Sequence, residues 1–248
     1  GFKTGGNFTF TNGNVTISTS GNAFYDTDDA DIAAAAGINC DGNFIMTQGT
    51  VTITSTGTAG KGISVDGTLT VNGGAITITA SGASFTYGAN TSEAKGIKSD
   101  GALTVNAGTI SIAATDDGIK SEASIVFNNG TVNITKSTEG IEAPVITFNN
   151  GNITAVSSDD CVNATYGNGG EANDGSLLTF AGGSVLLSAT AGDPVDGNGN
   201  VVMTGGTVIV QGPSSSPEVA IDVNGTFNIS GGLLIASGPN SGNMIEAT

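Results

Sequence analysis

Apolar and polar residues alternate along this chain in short bursts, and the bursts return at a regular interval. In Leu103-Thr104-Val105 and Ile110-Ser111-Ile112 every second residue is aliphatic, the period of a strand that buries one face. Glycine-bearing turns separate the bursts. The segment GIKSDGALTVNAGTISIAATDD (96–117) returns as GIKSEASIVFNNGTVNITKSTE (118–139) and again as GIEAPVITFNNGNITAVSSDD (140–160). A strand-only repeat of about 22 residues is too short for a helical repeat and lacks the leucine/asparagine skeleton of a leucine-rich one. It predicts an all-β fold, a right-handed parallel β-helix with three strands per rung and about nine rungs. Rungs are expected to open at Ile38, Ile63, Ile97, Ile119, Ile141, Val162, Val195, Ile221 and Met244.

The rung that starts at Gly96 sets the template. Strands are expected at 96–99, 102–105 and 109–113, with a turn at Asp100-Gly101 and a corner at Asn106 and Gly108. The corner glycine recurs at Gly13, Gly49, Gly74, Gly130, Gly151, Gly183, Gly206 and Gly232, a position suited to a backbone that residues with a Cβ resist. Two residues earlier, Asn72, Asn106, Asn128 and Asn149 predict a ladder of side-chain amides. Phe10, Phe44, Phe127, Phe148 and Phe180 are expected to fill one inward column. One repeat throughout makes residues 1–248 a single domain in this reading.

Charge narrows the chemistry. Twenty-two acids face six lysines, giving −16, with no Arg, His or Trp. That balance argues against nucleic acid and anionic membranes as partners, and it removes His-based catalysis and His-ligated zinc. It leaves chemistry for hard cations, which prefer carboxylate and carbonyl oxygen. Cys40 and Cys161 fall about five rungs apart, on the order of 24 Å, too far for a disulfide, so both are expected as buried thiols. No apolar stretch is long enough to span a membrane. Gly1 reads as the start of a trimmed mature domain, and an extracellular or cell-surface monomer is expected.

Insertions interrupt the repeat at 19–36, 80–95, 164–175, 188–194 and 211–219, and all of them border the first-strand face. Loops gathered on one face of a rigid scaffold mark a functional surface. The three tyrosines, Tyr25, Tyr87 and Tyr166, lie in these insertions. They are candidates to stack on sugar rings, or to pack their own loops, the favoured reading for Tyr25. Lys98 and Lys120 are the accompanying polar candidates.

Acids line the same face. Asp117, Glu139, Asp160 and Asp193 stand two residues before successive openings, below Lys61 and Lys95 in the same column. Glu142, Asp196 and Asp222 stand one residue after, below Lys98 and Lys120. Carboxylates at rung spacing repel unless compensated, and calcium is one economical compensation. The candidate ligands are Asp116, Asp117, Glu139 and Glu142, the dyad Asp159 and Asp160, and the cluster Asp28, Asp29 and Asp31. The last cluster also reads as the acidic start of a short helix ending at Gly37. Asp41, Asp66 and Asp100 each precede Gly and are explained by turn chemistry.

The repeated elements DDGIKS (116–121) and GIKSDGALTVNAGTI (96–110) resemble a clostridial-type carbohydrate-binding family with a pectate-lyase-like β-helix. The resemblance implies calcium along the first-strand face near Asp117, Glu139 and Asp160, and binding of cellulose or acidic sugars. The chain departs from the motif at Asp193-Pro194-Val195 and Glu218–Ile221.

Two functions follow as expectations. One is a calcium-dependent domain that binds plant cell-wall polysaccharide. The other is a calcium-dependent pectate lyase, in which Lys98 or Lys120 would take the C5 proton. Carboxylate neighbours raise a lysine's pKa and make it a poorer base, which disfavours the second.

Overall fold

The computed structural model describes residues 1–167, 169–170, 172–240 and 244–246. Three parallel sheets of nine strands each run through them, and no helix is present among the described residues. Every rung gives one strand to each sheet. In the template rung these are Ile97–Ser99, Leu103–Val105 and Thr109–Ala114. The first strand begins one residue later than the alternation predicts.

Alternation explains the core. Alternate residues of a strand point inward, so Leu103 and Val105 are buried while Thr104 between them is only half-buried; a few aliphatic residues, such as Ile45 and Leu186, take outward positions and stay exposed. Parallel pairing then stacks like on like: Ile63, Ile97, Ile119 and Ile141 form one column of the first-strand sheet, and all are fully buried. All nine corner glycines have φ between 78° and 115°, a region that side chains with a Cβ rarely adopt. Asn72, Asn106, Asn128 and Asn149 form the expected ladder, each amide bonded to the next at 2.8 Å.

Three details differ from the sequence reading. Phe127, Phe148 and Phe180 do stack, with ring centroids 5.2 Å apart, but Phe44 belongs to the neighbouring column. It pairs in register with Phe8, 5.6 Å away, while Phe10 pairs with Met46. A strand has two inward positions, and Phe44 takes the first of them. The first rung opens at Phe2, which pairs with Ile38. At the far end Ile245, not Met244, bridges Ile221, a slip of one residue where no strand alternation fixes register. Cys40 and Cys161 are free and buried.

Two insertions leave the coil as antiparallel hairpins. Phe24–Asp26 pairs with Asp31–Ala33, and Phe85–Tyr87 pairs with Asn90–Ser92. The first replaces the short helix considered for DIAAAAG. Tyr25 and Ile32 face each other across it, and cross-strand pairing of such large side chains favours the strand over a helix only one or two turns long.

Candidate functional site

The outward column of the first-strand sheet orders the charge of the whole face. From rung to rung it reads Lys3, Asn39, Ser64, Lys98, Lys120, Glu142, Asn163, Asp196 and Asp222. Positive charge therefore occupies the early rungs and negative charge the late ones. Each half carries its own depression.

The early depression is a cleft of about 510 Å³. Its floor is the first-strand sheet. One wall comes from the two hairpin insertions, through Asp31–Ala34 and Thr91–Glu93. Five of the chain's six lysines line it: Lys3, Lys61, Lys95, Lys98 and Lys120. Three of them are matched by carboxylates. Lys95 is buried and bonds both Asp116 and Asp117, with Glu93 at 3.3 Å. Lys98 pairs with Asp100, and Lys120 reaches Glu142 at 2.8 Å across one rung. Among the described residues Lys3 and Lys61 have no ion pair. The Lys61 ammonium donates instead to Ser92 Oγ at 3.0 Å and to the Ala59 carbonyl at 3.3 Å. Burial, with Lys95 and Lys98 nearby, pulls its pKa down to about 8.

Between the two depressions, Asp117, Glu139 and Glu142 bring one carboxylate oxygen each within 4.8 Å of one another. Burial and the neighbouring Glu142 and Asp117 push Glu139 up to about 8. Burial also pushes Asp117 up to about 6, against the pull of Lys95. Burial opposes charge on Lys95 as well, but Asp117 and Asp116 outweigh it and hold that proton firmly. Lysines thus supply much of the compensation that the sequence reading assigned to calcium at Asp116 and Asp117.

The late depression is an acidic trough of about 270 Å³, lined by Asp159, Asp160, Asp193, Asp196, Glu218 and Asp222, with Asn198 and Asn224. None of its described lining residues is a lysine. Burial and the charges of Asp196 and Asp159 push Asp160 up to about 9, although the Asp193 N–H donates to it at 2.8 Å. Burial raises Asp193 to about 6, with Glu218 and Asp222 adding to the rise and the Val219 N–H opposing it. An oxygen-only set under mutual repulsion suits a hard divalent ion.

The other candidates are dispersed. Asp28 and Asp29 lie exposed at the tip of the first hairpin, where the Asp28 N–H bonds Asp26. Asp31 turns into the lysine cleft, so these three acids do not converge. Tyr25 and Tyr87 stack on each other, centroids 4.1 Å apart and planes 15° from parallel. Tyr166 is exposed, its N–H held by Asp174 at 2.7 Å. Sequence alone gives Lys61 no role and leaves Asp193, Asp196 and Asp222 outside the candidate ligands, although each is aligned in its column. Glu218 alone had no column to reveal it.

A family model described as carbohydrate-binding domain-containing protein matches residues 1–140. No curated protein and no solved structure matches the chain.

Proposed function

Starting from a chain that belongs to the family of carbohydrate-binding domain-containing proteins, we propose that it binds an acidic plant cell-wall polysaccharide, such as a uronic-acid polymer, outside the cell. The sugar runs along the first-strand face, and its carboxylates dock in the lysine cleft. The observation that carries this reading is the concentration of lysine. A protein of net charge −16 repels polyanions at a distance, yet five of its six lysines line one open cleft. All of that cleft's lining residues precede residue 140, inside the stretch that the family model matches. Lys3 and Lys61 are the ammonium groups left for a ligand; Lys98 and Lys120, each paired with a carboxylate, stand on the cleft floor.

Calcium serves the same reading from the trough. Asp159, Asp160, Asp193 and Asp196 offer the oxygen ligands, and a bound ion there would relieve their repulsion and provide a second contact for uronate. Titrating the protein by calorimetry with oligogalacturonate and with cello-oligosaccharides, in chelator and in calcium, tests both parts. Binding of the uronate in chelator, strengthened by calcium, supports them. Binding of the neutral sugar alone sinks the lysine cleft as the anion site.

One observation favours a second reading, the lyase. β-Elimination needs a base at the C5 proton. Lys120, although burial opposes its charge, is held protonated by Glu142. Lys61, brought down to about 8 by burial, is the better base in the same cleft. Unsaturated product absorbing in the ultraviolet, absent from a Lys61→Ala variant, would move the assignment to an enzyme.

A further inference from the structure

Tyr25 and Tyr87 come from different insertions, 62 positions apart in the chain, and meet outside the three sheets. Each sits on a two-stranded hairpin, and a two-stranded hairpin alone is marginal in water. Their stack, with centroids 4.1 Å apart, joins the two hairpins. The joined pair is the wall of the lysine cleft: Asp31 and Ile32 come from one hairpin, Thr91 and Ser92 from the other. Ser92 is the residue that bonds Lys61.

We propose that Tyr25 and Tyr87 are positioning residues: their stack clasps the hairpins into one wall, which holds Ser92 on the Lys61 ammonium and keeps water from it. The inference rests on the cleft as the binding site for its functional meaning, but not for its test. The groups facing Lys61 are Lys95 and Lys98, which disfavour its charge, and Glu93 and Asp31, which favour it. Asp31 and Glu93 lie in the two insertions themselves. Opening the wall returns water to Lys61 and removes the largest cause of its depressed pKa, burial.

With six lysines in the chain, ¹³Cε-lysine NMR resolves each titration without any sugar present. Lys61→Arg assigns the resonance. In the wild type Lys61 is expected to titrate near 8, and Tyr87→Ala to move it upward toward the ordinary 10.5. Tyr87→Phe keeps the stack and is expected to leave the midpoint in place, which a loss of stability alone would not explain. Tyr25→Ala cuts the clasp from the other hairpin and serves as the second variant. An unchanged Lys120 resonance, from a residue on a coil strand outside both hairpins, reports that the coil is intact. A wild-type Lys61 midpoint at 10.5, or one that stays near 8 in both alanine variants, overturns the proposal. A correct titration together with no uronate binding would instead reject only the binding reading.

Discussion

Lys95 Nζ lies 2.6 Å from Asp117 Oδ2, and both side chains are almost fully out of water. This pair stands where the repeat brings acids of successive rungs together, so it neutralises the start of the acidic column. Removing one partner of a buried pair leaves the other charge uncompensated. Lys95→Met is therefore expected to destabilise the fold by about 3–5 kcal/mol, because it abandons both Asp117 and Asp116. Asp117→Asn should cost less, since Lys95 keeps Asp116 and Glu93. Denaturant unfolding at neutral pH measures both, and equal small losses would contradict the assignment.

The raised carboxylates give stability a definite pH slope. Unfolded carboxylates ionise near 4, whereas folded Glu139 and Asp160 hold protons up to about 8 and 9. Between those values the native state binds more protons than the unfolded one, so stability falls as pH rises. In chelator the Tm is expected to drop from pH 5 to pH 8. Calcium should restore it at pH 8 and do little at pH 5, where protons occupy the ligands. A Tm in chelator that climbs over the same interval would refute this electrostatic picture.

Gly118 opens the rung at Ile119 in the repeated acid-Gly-Ile element. A Cβ there would sit 2.7 Å from the Gly140 carbonyl oxygen of the next rung and 2.8 Å from Ile134 Cδ1. Gly118→Ala is expected to destabilise by about 1–3 kcal/mol through overpacking. A matched Ala107→Gly change in the half-buried corner, which removes a Cβ rather than adding one, should move the unfolding midpoint much less.

The fold was legible because one pattern is written nine times. Strand alternation and the corner glycine fix inward columns and register, as at Ile97, Ile119 and Gly108. Where the pattern lapses, alternation misleads: it puts Phe44 in the wrong inward column and Met244 in the place of Ile245. The site was legible only as columns. Asp193, Asp196 and Asp222 were aligned by the repeat, but their convergence with Glu218 depends on how irregular insertions return to the face. The Tyr25–Tyr87 contact has no sequence signature at all, since it joins two loops that obey no period. Nothing in the sequence marks Lys61, because its character comes from burial, with Ser92 of one of those same loops bonded to it.

An anionic sugar docked in the lysine cleft would lose one of its cationic partners in Lys61→Gln. Calorimetry with oligogalacturonate, in chelator at neutral pH, should show binding by the wild type and a loss of about tenfold or more in the variant, the worth of one hydrogen bond to a charged group. Lys136→Gln, which changes the one lysine outside the cleft, should bind as the wild type does. Equal affinities for wild type and Lys61→Gln would mean that the sugar does not dock in the lysine cleft.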